Sequence, residues 1–367
     1  MQVLVIGGTR FIGPYVVRQL VSAGHRVAVF HRGQTPAGLP RGVEHILADR
    51  RELSSFTSTF RHLAPDVVLD MIAFSEPDAR TLMDTFRGIA GRVVALSSGD
   101  VYLTYDRLRR ISPGSPSLVP ITEEAPLREV LFPYRAQAPG PEHWQYQYEK
   151  ILVEQVVLND SALPGTVLRL PAVYGPGDAF HRLHEYLKRM DDGRPAILVE
   201  AQQATWRWTR GYVENVAAAI VLAVTDARAA RRTYNAGDPD ALSEVEWIRQ
   251  IGRAAGWEGE ILPVPSARLP AHLAGEDFDW RHHLVTDTSR LRDELGYAEP
   301  LSREGGLQRA VEWERAHPPA NVDPAQFDYA AEDLTLRDLL GERSRTGTRT
   351  GPLGLQASSR GSPAPET

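Results

Sequence analysis

The sequence predicts an α/β fold, a doubly wound parallel sheet joined to a smaller α/β lobe, and three observations carry that prediction. Short apolar runs of strand length alternate with helical stretches from Val3 to Leu170. A glycine turn, Gly7-Gly8-Thr9-Arg10-Phe11-Ile12-Gly13, stands between the first apolar run and the first helix. Beyond Leu170 the pattern changes to mixed helices and shorter strands. Regular alternation places crossover helices on both faces of parallel strands, the arrangement of a Rossmann-type sheet.

Taken in order, the strands fall at Val3–Ile6, Arg26–Phe30, His45–Leu47, Asp66–Leu69, Arg92–Leu96 and Thr166–Leu170, with a first helix from Ile12 to Ala23. Between the strand ending near Ser98 and a helix expected over 144–159 lies a long segment with prolines at 113, 116, 120, 126, 133, 139 and 141. A loop of that length in a compact unit is a lid, a binding element or a disordered stretch. Tyr102, Tyr105, Leu131, Phe132 and Tyr134 supply apolar anchors, so a folded flap is expected over 103–143. After Leu170, helices are expected at 180–190, 212–225, 243–255 and 303–316, and strands near 196–199, 233–236 and 260–264. The organisation predicted is a dinucleotide-binding unit over 1–171, a smaller substrate lobe over 172–317 interleaved with it, and a C-terminal extension over 318–340. Residues 341–367 hold too little apolar content to pack and are expected to be a disordered tail.

Composition excludes several classes. With 42% hydrophobic and 24% charged residues the chain is globular. It contains no cysteine, which removes disulfides, thiolate metal sites and cysteine nucleophiles. The longest apolar run, Val216 to Val224, is too short to span a bilayer. The first strand begins at Gln2 and leaves no room for a leader, so a cytoplasmic protein is expected. A formal charge of −6 disfavours a broad electrostatic grip on nucleic acid. His181, His184, His282 and His283 lack convergent carboxylates in the sequence, and no metal site is expected.

The glycine turn has the spacing a pyrophosphate needs: glycines admit the sharp turn and close backbone approach, and the helix start presents free N–H groups to negative charge. Its middle glycine is replaced by Arg10. Ser98 follows the fifth strand, at the carboxyl edge where ligands collect in such sheets. Tyr146 and Lys150 stand four apart, which on a continuous helix puts them on one face. An ammonium group near a phenol stabilises the phenolate, and such a tyrosine shuttles a proton to or from a substrate oxygen.

Glycine turn, strand-end serine and Tyr/Lys pair occur in the order found in the extended short-chain dehydrogenases/reductases, and the sequence resembles their NAD(P)-dependent epimerase/dehydratase branch. The resemblance runs from residue 1 to about residue 316 and includes Arg169-Leu-Pro-Ala-Val-Tyr-Gly-Pro-Gly177, Tyr212-Val-Glu-Asn-Val-Ala217, Tyr234-Asn-Ala-Gly237 and Leu295-Gly-Tyr297. The GGTRFIG form of the turn is similar to an atypical subgroup that includes chloroplast stem-loop RNA-binding proteins. The resemblance implies that Tyr146 is the acid/base, that Ser98 orients the substrate oxygen, and that Lys150 binds the nicotinamide ribose. It also implies cofactor contacts from Gly7, Thr9, Arg10, Phe11, Ile12, Gly13, Asp49, Met71, Ile72, Ala73 and Pro171. A homodimer through the helix at 144–159 and its neighbour follows from the same source.

Departures from the pattern refine the expectation. After the second strand stands His31-Arg32 in place of a carboxylate, and an arginine there accommodates a 2′-phosphate, so NADP(H) is favoured over NAD(H). Ala172 replaces an asparagine usual in nucleotide-sugar enzymes, and Trp208 stands between Arg207 and Arg210 where an arginine is usual, which argues against a nucleotide-sugar substrate. Asp100 matches the position of a base in related dehydratases, whereas Gly99 replaces its acidic partner. Candidate substrate contacts are Tyr102, Arg207 and Arg210. The expected protein is an oxidoreductase or epimerase acting on a secondary alcohol or ketone of a small polar, sugar-like or polyol substrate. The alternative is an RNA-binding or regulatory protein that retains the fold.

Overall fold

The computed structural model describes residues 1–275 and 277–346. The strands are β1 (Gln2–Ile6), β2 (Arg26–His31), β3 (Glu44–Leu47), β4 (Val67–Asp70), β5 (Arg92–Ser98), β6 (Gly165–Leu170), β7 (Ala172–Tyr174), β8 (Ala196–Glu200), β9 (Arg210–Tyr212), β10 (Thr233–Asn235) and β11 (Glu260–Val264). The first six helices are α1 (Ile12–Ser22), α2 (Thr57–Leu63), α3 (Glu76–Phe86), α4 (Leu103–Leu108), α5 (Trp144–Gln147) and α6 (Lys150–Leu158). The remainder are α7 (His184–Asp191), α8 (Val213–Thr225), α9 (Glu244–Ala255), α10 (Ser289–Leu295), α11 (Arg303–Ala316) and α12 (Tyr329–Thr346).

Seven strands form one sheet in the order β10-β6-β5-β4-β1-β2-β3, every pair parallel. The period-two geometry of β1 divides its side chains between two cores. Val3 and Val5 face Val16, Val17 and Leu20 of α1 and Val216 and Ile220 of α8, whereas Leu4 and Ile6 face Leu82 and Phe86 of α3. Each such buried aliphatic side chain stabilises the fold by about 1.5–3 kcal/mol, and a strand covered on both faces reads as a continuous apolar run. The winding reverses between β1 and β4, and that reversal opens a crevice at the carboxyl edge.

Two small parallel sheets, β7–β9 and β8–β11, build the second lobe. Its helix α9 starts at a capping box, Ser243 with Glu246, and ends at Gly256 in the left-handed region with φ 73°. Among the described residues no helix is long and apolar enough to cross a membrane.

Three expectations change. The sequence places the segment near 233–236 in the second lobe, yet β10 is an edge strand of the main sheet, registered with Asn235 against Arg169. Three residues have too little periodicity to reveal their partner, and here buried Tyr234 and Asn235 fix it. The helix at 144–159 is two helices, with Tyr148 at ψ 117° and Glu149 at φ −157° between them. The last helix runs into the stretch expected to be unpacked, since α12 reaches Thr346; residues 347–367 of that tail lie outside the described residues. Helix α12 docks because Glu332, fully buried, accepts from Arg189 Nε at 3.0 Å, while Leu336 packs with Leu198 and Val264.

Candidate active site

The floor of the crevice is the glycine turn. Gly8 takes φ +79°, and a Cβ at Gly13 would lie 2.3–2.6 Å from the Gly8 backbone, so α1 starts against the turn with no room for a side chain. Phe11 is held at φ 46°, ψ −105°, a conformation that costs about 1–3 kcal/mol and that functional sites retain. Gly13 N donates to Arg10 O at 2.9 Å, but the amides of Phe11 and Ile12 have no acceptor among the described residues. Unpaired donors at a helix start are the anion site a dinucleotide pyrophosphate requires, and the residues present fit such a cofactor. Ile72 lies over Gly7, and Gly177 of the second lobe lies against Phe11.

Beyond the end of β2, exposed Arg32 makes no ion pair among the described residues, and exposed Arg10 donates through Nε to Thr35 Oγ1 at 3.1 Å. His31 Nδ1 accepts from Gly33 N at 3.1 Å, so its Nε2 carries the hydrogen given to His45 Nδ1 at 2.8 Å. Burial, and next the neighbouring His45, lower the His31 pKa. Asp49 caps the following turn and is held low in pKa by its hydrogen bonds from Arg51. Exposed Leu47 forms a shelf beside Gly33.

At the chemical end, Ser98 ends β5 half-buried and its Oγ accepts from Asp100 N at 3.3 Å. Lys150 is buried; its Nζ donates to Ala73 O at 2.7 Å and Leu96 O at 2.8 Å. Desolvation lowers its pKa to about 8 against the opposing pull of Asp70 and Asp100. Beneath it Asp70 pairs with Arg50 at 2.5 Å and accepts from Ile72 N at 2.9 Å, which holds the Met71-Ile72-Ala73 segment in place.

Tyr146 does not share a helical face with Lys150. Glu149, fully buried, accepts from Phe132 N at 2.6 Å, from Arg128 Nη2 at 3.0 Å and from Ile151 N at 3.0 Å. It thereby caps α6 and separates it from α5. Tyr146 is half-buried, its ring 5.0 Å from the Arg135 guanidinium and its hydroxyl without a hydrogen-bond partner among the described residues. Tyr148 turns inward instead. Its ring lies 5.8 Å from Lys150 Nζ, and its hydroxyl donates to Asp100 Oδ2 at 2.9 Å, next to the Ser98 hydroxyl. Tyr134 donates to the same oxygen at 2.8 Å and meets Tyr105 at 3.0 Å. Desolvation raises the Asp100 pKa although the two phenols and Arg128 oppose it, and burial and then Asp100 push Tyr148 well above the usual phenol.

Two expected substrate contacts are committed elsewhere. Tyr102 is buried, giving its hydrogen to Asn235 Oδ1 at 2.7 Å and accepting from Arg169 Nη1 at 3.0 Å. Arg210 Nη2 is locked onto Glu244 Oε2 at 2.5 Å with its guanidinium over Trp247, so it presents no free cation. Arg207 is exposed. Pro171 packs where Gly211 and Gly237 leave space for it. The sequence reading gives Tyr148, Arg128 and Glu149 no role and Tyr134 only that of an apolar anchor; the signal available is the second tyrosine of Tyr146-Gln147-Tyr148-Glu149-Lys150, hidden by the assumption of an unbroken helix.

The family profile described as NAD dependent epimerase/dehydratase matches residues 3–237. A 2′-dehydrokanamycin reductase of Streptomyces kanamyceticus is 28% identical, the match covering 85% of this chain and 83% of the relative. The 41 kDa chloroplast stem-loop binding protein b of Arabidopsis thaliana is 23% identical over 92% of this chain and 84% of its own. In fold, the structure is similar to the UDP-glucose 4-epimerase of Thermus thermophilus solved with NAD, at TM-score 0.60 and 22% identity, covering 86% of this chain and all (100%) of that one. The glycine turn with its unpaired amides and the matched profile agree on a nicotinamide dinucleotide as cofactor. The chain is an enzyme of the NAD dependent epimerase/dehydratase family.

Proposed function

We propose that the protein is an NADP(H)-using oxidoreductase or epimerase of a secondary alcohol or its ketone on a sugar-like or polyol substrate. The observation that carries this reading is the convergence, at the carboxyl ends of β4 and β5, of the Ser98 hydroxyl, buried Lys150 and a phenol from the Tyr146–Lys150 stretch. When bound, the nicotinamide supplies or accepts the hydride. Ser98 holds the substrate oxygen, the phenol moves its proton, and Lys150 faces the cofactor ribose and favours the charged phenolate. Asp49, Pro171 and the Met71-Ile72-Ala73 segment border the cofactor in this reading.

Arg32 and Arg10 support NADP(H), being exposed cations at the end of the cleft where a 2′-phosphate would lie. The relative named 2′-dehydrokanamycin reductase supports the reductive direction for this reading. With Arg210 held by Glu244 and Ala172 at the asparagine position, a nucleotide diphosphate has less to bind, which supports a substrate without one. Arg207 remains available at the mouth for polar substrate groups. The GGTRFIG turn supports placement in the atypical subgroup.

The test is calorimetric titration with NADPH and NADH, followed by a panel of keto-sugars, keto-glycosides and UDP-sugars read by loss of reduced-nicotinamide absorbance. Tighter NADH binding overturns the cofactor assignment, and turnover of UDP-sugars alone overturns the substrate class. The stem-loop-binding relative supports a second reading, in which the fold binds RNA. Absence of RNA retention at low salt removes it.

A further inference from the structure

We propose that Tyr148, not Tyr146, is the phenol that exchanges a proton with the substrate oxygen, and that the 103–143 insertion restores that proton through Tyr134 and Asp100. The inference rests on the oxidoreduction reading above and specifies its acid. Two contacts hold the assignment in place, the first of them buried. The Glu149–Arg128 pair, both side chains fully buried at 3.0 Å, interrupts the helix after Gln147, so that Lys150 does not join Tyr146 on one face. Arg135 then takes Tyr146 into a stack with Phe132, donating to Tyr146 O at 3.1 Å. The space beside Lys150 is filled by Tyr148 between Phe74 at 6.1 Å, Trp144 at 5.7 Å and Tyr134 at 5.1 Å between ring centres.

Tyr148 is the phenol whose oxygen lies beside Ser98, and its hydrogen rests on Asp100 Oδ2. The same carboxylate oxygen receives Tyr134, which in turn meets half-buried Tyr105. Asp100 Oδ1 is buried and unpartnered among the described residues, which leaves the carboxylate one open position for a transiting proton. A line of exchangeable groups thus runs from the strand-end serine outward, and its two outer members come from the insertion.

In ketone reduction the carbonyl carbon gains a hydride from the reduced nicotinamide, the C=O electron pair moves to oxygen, and that oxygen takes the Tyr148 proton. The phenolate recovers a proton by way of Asp100 from Tyr134, Tyr134 from Tyr105, and half-buried Tyr105 from solvent water, which is left as hydroxide and neutralised by buffer. Oxidation of the alcohol runs the same transfers backward. The insertion is therefore a working part of the proton path as well as a cover.

The test compares Tyr148→Phe, Tyr146→Phe and Tyr134→Phe in the full chain. Wild-type turnover of a ketone from the panel comes first, since its absence overturns the oxidoreduction reading itself rather than the choice of tyrosine. Given turnover, Tyr148→Phe is expected to lower kcat about 100-fold or more, at least about tenfold beyond the loss in Tyr146→Phe, with NADPH affinity held within about twofold. Tyr134→Phe is expected to lower kcat and raise its solvent isotope effect, a change that a packing role would not produce. A readout independent of turnover is the ultraviolet titration of tyrosinate in the unliganded protein: Asp100→Asn is expected to bring two late-ionising phenols to lower pH, and only one in the Tyr148→Phe background. A larger loss in Tyr146→Phe than in Tyr148→Phe overturns the assignment, as does a Tyr148→Phe defect matched by an equal loss of NADPH affinity. An unchanged isotope effect in Tyr134→Phe overturns the relay.

Discussion

Single side chains here are tuned by what burial removes from them. Burial strips the water from the Lys150 ammonium group and lowers its pKa to about 8, against the opposing pull of Asp70 and Asp100. A native pKa below the unfolded one means that the unfolded chain binds the extra proton between those two values, so stability rises with pH through that window. Lys150→Met abolishes the effect. The wild type is expected to gain thermal stability relative to the variant as pH is raised from about 8 to about 10, measured as the difference in melting temperature, and a gap that shrinks contradicts the assignment. At the other end of the cleft, Arg32→Ala is expected to weaken NADPH by about tenfold and leave NADH within about twofold, because only the 2′-phosphate uses a charge-assisted contact there. Equal losses for both cofactors, read by calorimetry, would count against the phosphate contact.

At the scale of elements, the decisive feature is where α5 stops and α6 starts. Helix propensity favours continuing through Gln147, Tyr148 and Glu149, none of which is a breaker. The interruption exists because Glu149 is worth more as a buried partner of Arg128 and as a cap of α6 than as one more helical residue. Arg128 further donates to Asp100 O at 2.5 Å and Val130 O at 2.7 Å, tying the insertion to the serine turn. Arg128→Leu leaves an uncompensated carboxylate in the core, and a loss of about 3–5 kcal/mol is expected in urea unfolding. A loss under about 1 kcal/mol would mean that the pair does not hold this junction. The glycine turn, by contrast, was legible as an element, because its conformation is imposed by Gly8 and Gly13 and the adjoining strand within one short stretch of chain.

The whole molecule is joined by polar contacts that cross between distant parts of the sequence. Arg169 binds Glu154 at 2.7 Å and Glu123 O at 2.8 Å, and Asn235 N donates to Glu123 Oε1 at 2.8 Å, so β6, α6, β10 and the insertion meet in one buried network. On the far side, Arg189 and Glu332 fasten α12 to the second lobe. A chain ending at Asp328 leaves Arg189 buried without its carboxylate and uncovers Leu198 and Val264. It is expected to melt at a lower temperature while still binding NADPH in the cold, as followed by calorimetry, since α12 touches the lobe and not the glycine turn. An unchanged melt would mean that α12 contributes little to the lobe.

The sequence by itself determined the sheet, its crevice and the nucleotide-binding turn, because apolar period and glycine conformation act over a few neighbouring residues and need no distant partner. It also named Ser98 by its place at a strand end, Lys150 by its spacing from Tyr146, and Asp100 by resemblance to a family position. Only the tertiary structure decided which tyrosine turns inward, that Tyr102 and Arg210 are spent on internal partners, and that Thr233–Asn235 closes the edge of the main sheet. Those outcomes depend on which buried charges find each other across many residues of chain, Glu149 with Arg128 and Glu244 with Arg210, and no local pattern encodes a partner that distant.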